Sequence, residues 1–276
     1  MHLGYNTNGF AHHRLEDALA ILADLGYQSI AITLDYAALN PYDPEFAAQG
    51  QRVRGLLEKH KLRSVIETGA RFLLDPHRKH QPTLLSAAPH ERAQRRDFLV
   101  RAIDLAHMFN ADAVSFWSGT PVDAAGDDAW WSRLVDGCVD LCAEADRRGV
   151  RLAFEPEPGM FINTMEKFAE LHRRVDRPNF GLTLDVGHLH CQGELPIAEH
   201  VRPWRSWLWN IHIEDMRRGV HDHLMFGEGE MDFAPIFQAL REIDYEGGVH
   251  VELSRHSHDA VNVARRAMQF LRLALA

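Results

Sequence analysis

A chain of 276 residues, 46% apolar and 25% charged, has the makeup of a soluble globular protein and enough length for one large core or two ordinary domains. A net charge of −9 with only four lysines (Lys59, Lys61, Lys79, Lys167) speaks against a nucleic-acid backbone as the main partner, which would favour a concentrated basic surface. The opening "MHLGYNTNGF" has no basic stretch followed by an apolar one, and no apolar run approaches the ~18 residues of a membrane span, so neither nucleic acid nor membrane is expected and the protein reads as cytoplasmic.

Strand-like and helix-like segments alternate from the first residues. "HLGYNT" (2–7) is followed by "LEDALAILADLG" (15–26), where Leu15, Ala18, Leu19 and Leu22 stand at helical spacing and Gly26 marks a stop. "SIAITL" (29–34) and "RSVIET" (63–68) are the next two strands. After them comes "GARFLLDPHRKHQPTLLSAAPHE" (69–91), long for a routine connection and rich in Pro, His and Arg. Helical patterns at 97–110 and 133–149 flank the strand "DAVSFWS" (112–118). Cys138 and Cys142, with Cys191 later, form no even set and no C-x-x-C pair, as expected of small buried hydrophobes in a reducing compartment. The rest of the chain supplies "RLAFEP" (151–156), "FGLTLD" (180–185), "LWNIHIE" (208–214), a helix at 233–247 and "GVHVEL" (248–253).

Eight such units predict a closed (β/α)₈ TIM barrel, one domain over residues 1–276. An open doubly wound sheet is the alternative, but "YNTNGFAHH" is not its Gly-rich phosphate turn. In a barrel, the 69–91 stretch would project from the carboxyl-terminal face, as a lid over a site. Arg71, Arg78 and Lys79 would suit it to an anionic or polyhydroxy ligand.

Barrel chemistry sits where the strands end. The fifth strand delivers Glu155, the sixth Asp185 and then His188, the seventh His212 and the eighth Glu252. Three carboxylates at one level repel one another unless a cation joins them. With one imidazole they make a hard, mostly oxygen site without the thiolates of structural zinc. One divalent ion is therefore expected on Glu155, Asp185, His212 and Glu252. Mn²⁺ is favoured, and Mg²⁺, Co²⁺ or Zn²⁺ would also suit.

The stretches "FEPEPG", "GLTLDVGHLH", "NIHIEDMRRG", "FGEGEMDF" and "YEGGVHVEL" resemble the xylose isomerase-like TIM barrels. That superfamily includes sugar isomerases, ketose 3-epimerases, inosose dehydratases and endonuclease IV. The resemblance is strongest from residue 150 onward and rests mainly on the βα rhythm before it. It implies the same four metal ligands, and it makes His188, three after the Asp ligand, a substrate-binding histidine. Arg218, six beyond the His ligand, would contact substrate as in the 3-epimerases, or would be a solvated charge beside Arg217. His223, four before Gly227, falls where the endonuclease branch binds metal, and His221 where it has an aspartate. His223 here is placed among the substrate contacts, with a second metal at this pair left open.

The resemblance further implies proton transfer through a metal-stabilised enediolate, with Glu155 and Glu252 as the catalytic pair. A hydride shift relies on a second metal and a lysine, and no lysine stands at a strand end. The expected protein is a sugar, cyclitol or keto-sugar isomerase or epimerase, with an inosose-type dehydratase as the alternative on the same metal site. A phosphodiesterase of the endonuclease IV type fits less well. Trp117 occupies the position of that branch's strand-four histidine, and "ETGA" at the third strand's end offers none. Trp117 would instead wall the substrate or simply pack the barrel top. A barrel that binds sugar without turnover is a further reading. The partner expected is a small polyhydroxy molecule, and association into a homo-oligomer stays open.

Overall fold

Each apolar run forms a short parallel strand, and helical segments between the runs carry the chain back to the start of the next. In chain order the barrel strands are β1 (His2–Asn6), β2 (Ser29–Thr33), β3 (Arg63–Glu67), β4 (Val114–Phe116), β5 (Leu152–Phe154), β6 (Phe180–Asp185) and β7 (Leu208–Ile213). A hairpin of β8 (Asp215–Arg217) and β9 (Val220–Leu224) follows, and β10 (Gly248–Val251) completes the barrel by pairing with both β7 and β1. The computed structural model describes residues 1–275 and forms a closed eight-stranded parallel barrel as a single domain, the (β/α)₈ fold read from the sequence.

The surrounding helices are α1 (Leu15–Leu25), α2 (Phe46–His60), α3 (Pro89–Phe109), α4 (Asp127–Asp146), α5 (Met165–Val175), α6 (Val186–Gln192), α7 (Ile197–Val201), α8 (Ala234–Glu242) and α9 (Ala260–Leu275). In α1 the buried residues are Leu15, Ala18, Leu19 and Leu22, one apolar stripe against the barrel. Gly26 ends that helix in the left-handed region at φ 95°, its N–H turned to the Ala23 and Leu22 carbonyls. The three cysteines are free and buried. Among the described residues no helix is long and apolar enough to cross a membrane.

Two features depart from the sequence reading. Helix α3 begins at Pro89 rather than at 97, because the polar run "HERAQRR" conceals a first two turns that Pro89 starts at a position needing no N–H. The connection after β3 is therefore shorter than expected, and residues 81–86 within it are buried. It is a packed wall with an exposed front half, not a loose lid. The hairpin β8–β9 was also hidden, since its strands are short and most of their side chains are polar. It rises from the carboxyl end of β7 and carries His221 and His223.

Inside the barrel, bulk is traded across the seam. A Cβ on Gly4 would lie 2.2 Å from the His250 ring, and one on Gly248 equally 2.2 Å, so both must be glycine for that ring to fill the interior.

Candidate active site

The strand ends deliver the four expected side chains to one place. Glu155 directly follows β5, with its N–H still donating to the Phe116 carbonyl at 2.8 Å. Asp185 is the last residue of β6 and caps α6, its Oδ1 accepting the His188 N–H at 2.8 Å. His212 projects from β7. Glu252 directly follows β10, and its Oε1 accepts a hydrogen bond from Asn8 at 2.7 Å.

His212 Nδ1 lies 3.0 Å from Glu155 Oε1, 2.9 Å from Glu252 Oε2 and 3.9 Å from Asp185 Oδ2. One donor atom from each of the four falls within 4.8 Å of the other three. Asp185 Oδ2 is buried and makes no hydrogen bond. An orphaned carboxylate oxygen in such a donor set is what a hard divalent ion would satisfy, so these residues fit the expected metal.

The electrostatics say the same. Burial pushes the Glu155 carboxyl up to about 7 against the pull of His212, with Glu252 and Asp185 adding to the rise. Glu252 is partly buried, yet against that desolvation His212, followed by His223 and His188, holds it below the ordinary carboxylate range. Burial alone would lower His212, but Glu67, Glu155 and Glu252 together raise it well above the usual imidazole value. The acids around His212 thus call for positive charge at this place.

Glu67, the last residue of β3, was not anticipated. Its Oε1 sits 2.9 Å from His212 Nε2, on the ring side away from the other acids, and also accepts from Asn210 at 3.0 Å. Asn210 Oδ1 is 2.7 Å from His250 Nδ1, and His250 Nε2 is 2.8 Å from Ser29. This buried chain forms the floor of the site. The signal was present, because Glu67 ends an apolar run as Glu155 does, but "ETGA" drew attention only for its lack of histidine.

Above the four candidate ligands opens a cavity of about 330 Å³. His188, Trp117 and His223 line it, together with His221. His188 Nε2 is 3.4 Å from Asp185 Oδ2 and 3.0 Å from His221 Nε2. Burial lowers His188 to about 4, whereas Glu214 at 3.7 Å outweighs burial and raises His223 to about 10. Glu214 has neither carboxylate oxygen hydrogen-bonded, and with Asp185 and His223 it forms a second cluster of three donors within 4.8 Å. The structure does not bring Arg218 to this cavity. Its N–H donates to Glu230 at 2.7 Å and its exposed guanidinium lies over Gly193, on the outer side of the hairpin. Asp215 ties the hairpin down, accepting N–H bonds from Gly227 and Met231, so "NIHIED" and "FGEGEMDF" fold as one piece.

Known proteins carry the same architecture. The inosose dehydratase of Lacticaseibacillus casei is 29% identical over 142 residues, 45% of this chain and 47% of that protein, so the chain spans about half the length of such curated relatives. The crystal structure of D-allulose 3-epimerase from Methylomonas sp. in complex with D-allulose superposes with a TM-score of 0.79 at 22% identity, covering 99% of this chain and 96% of that one. The IOLI protein, solved with a bound zinc atom, superposes at 0.80 and 18% identity over 100% and 98% of the two chains. At these identities the superpositions speak for the fold. The family model for the xylose isomerase-like TIM barrel matches residues 19–274. By that match across nearly its whole length, the chain belongs to the xylose isomerase-like TIM barrel family.

Proposed function

We propose that this chain is a divalent-metal-dependent isomerase or epimerase that moves a proton at the carbon beside a carbonyl in a sugar, cyclitol or keto-sugar. The observation that carries this reading is the order of the four donors around the barrel. Asp185 and His212 occupy β6 and β7, and glutamates flank them on the outer strand ends, after β5 and β10. An ion on these four residues, Mn²⁺ by preference, would polarise a substrate carbonyl and acidify the adjacent C–H.

The chain's own groups do the remaining work. Glu155 and Glu252 each offer a carboxylate that can take a proton from carbon on one side and supply one on the other. Asn8 holds Glu252 in place through Oε1 at 2.7 Å, leaving Oε2 directed toward His212. His188, largely buried and neutral, is suited to hold a substrate hydroxyl, and Trp117 forms part of the cavity wall.

Glu155→Gln or Glu252→Gln should lower exchange of the substrate α-hydrogen with D₂O by about 10²–10⁴-fold. Persistence of wild-type exchange in both variants, or no exchange by wild-type protein with any ketose or inosose tested, would overturn the reading. The similarity to inosose dehydratases supports a second outcome of the same proton removal, expulsion of a β-hydroxyl as water. Loss of water from an inosose, followed by absorbance of the unsaturated product, distinguishes the two.

A further inference from the structure

Behind Trp117 lies a charge with no evident partner. Arg95 is 1% exposed, and its guanidinium stands 4.4 Å from the centre of the Trp117 ring. Nη2 donates to the Thr68 carbonyl at 3.0 Å, Nη1 has no hydrogen-bond partner, and no carboxylate pairs with it among the described residues. A buried cation left unpaired is costly, so its field demands an anion from elsewhere. Burial brings the group down to about 9, which still leaves it charged at neutral pH.

Further positive charge gathers on the same side of the cavity. His80 stacks on Trp117, with ring centres 5.2 Å apart, and Arg71 and Lys79 line the cavity beside it. His80 is lowered to about 4, first by burial and then by Lys79, Arg95 and Arg71, which records how closely these charges converge. Arg78 is spent on Asp75 at 2.6 Å and Glu91 at 2.8 Å, and Arg255 on Asp222. Lys79 has no ion pair among the described residues, and the nearest carboxylate to Arg71, Asp35, is 4.0 Å away. The cavity thus has two unlike ends, acids around His212 and a gathering of cations beside Trp117, with Arg95 buried and unpaired, Arg71 loosely paired with Asp35 and Lys79 exposed.

Resting on the function proposed above, we infer that the substrate is anionic: it carries a terminal phosphate or carboxylate that Arg71 and Lys79 hold beside the Trp117–His80 wall while its carbonyl end meets the metal ligands. At about 330 Å³ the cavity lies at the small end of the range for small-molecule sites, which suits a five- or six-carbon chain with one such group.

The test compares three substrates on metal-loaded protein: a five-carbon ketose, its terminal phosphate ester, and the analogue with a terminal carboxylate. One of the anionic forms should exchange its α-hydrogen with D₂O at a kcat/KM at least about tenfold above the neutral ketose, the worth of one charged hydrogen bond. Which of the two it is identifies the group. In Lys79→Met and Arg71→Met that advantage should collapse toward one with metal content unchanged. Equal kcat/KM for all three, or an advantage that survives both substitutions, overturns the subsite while leaving the reaction standing. Should none of the three exchange, the reaction itself is in question, and the subsite is then decided by calorimetry. Tighter binding of the phosphate ester or carboxylate than of the ketose, weakened about tenfold in Lys79→Met, supports the subsite; equal binding rejects it.

Discussion

His212 presents Nδ1 to Glu155 and Glu252 and Nε2 to Glu67, so the ring has its orientation fixed from both sides. A histidine that ligates a metal through one nitrogen gains basicity when a carboxylate accepts from the other. Glu67→Gln keeps the shape and an acceptor oxygen but removes the charge. It should weaken affinity for the divalent ion by about 10–100-fold, read by competition with a chelating dye. An unchanged Kd would show that Glu67 merely fills space in the barrel floor. At this scale the sequence was readable where chemistry and position coincide. Glu155, Asp185, His212 and Glu252 are ionisable groups at the ends of apolar strands, and nothing in water-facing loops mimics that. Arg218 was placed by offset from His212, and that offset lands in the exposed two-residue turn between β8 and β9, clear of the cavity lining.

Among the elements, α3 and α4 are joined by a charge clasp. Glu144 on α4 accepts from Arg96 on α3 at 2.7 Å and from Arg148 at 2.9 Å, and Arg147 lies 2.5 Å away. Arg96 also pairs with Asp140. Hydrogen bonds from Arg148, Arg147 and Arg96, in that order, bring Glu144 down to about 2. Because the folded value lies below the unfolded one of ~4.5, the clasp contributes in full above pH ~4.5 and is lost as pH falls toward 2. Glu144→Gln should lower Tm at pH 7 by an amount equivalent to at most ~1 kcal/mol, given partial solvent screening, and flatten the acid limb of Tm against pH. A parallel acid limb in the variant would remove the clasp from the account. The helix boundary here was not legible, because α3 begins in a charged run whose ordering comes from such pairs and not from an apolar stripe. The strands were legible for the opposite reason: a barrel buries both faces, and continuous apolar runs survive composition noise.

Across the whole molecule, the four candidate ligands come from neighbouring strands of one closed sheet, β5, β6, β7 and β10, so an ion bound there would tie a large arc of the barrel together. Without it, three carboxylates share one site with only neighbouring histidines, His212 foremost, to answer them, and the folded state bears what repulsion is left. The unfolded chain has no such site, so binding should appear as stability. At a hundredfold excess over Kd the gain is ~2.7 kcal/mol, which for a domain of this size corresponds to roughly 5–10 °C in Tm. Adding Mn²⁺, Mg²⁺, Co²⁺ or Zn²⁺ to chelator-treated protein should therefore raise Tm in a concentration-dependent way, and the size of the shift at equal concentration ranks the ions. Asp185→Asn is the control. Its amide oxygen can still cap α6, so the helix start is retained, while one charged ligand is lost. The variant should lose most of the ion-dependent rise whatever its starting Tm. A rise of the same size in wild type and Asp185→Asn would place the ion elsewhere on the protein, and no rise with any of the four metals would mean that this cluster of acids is held by protons alone.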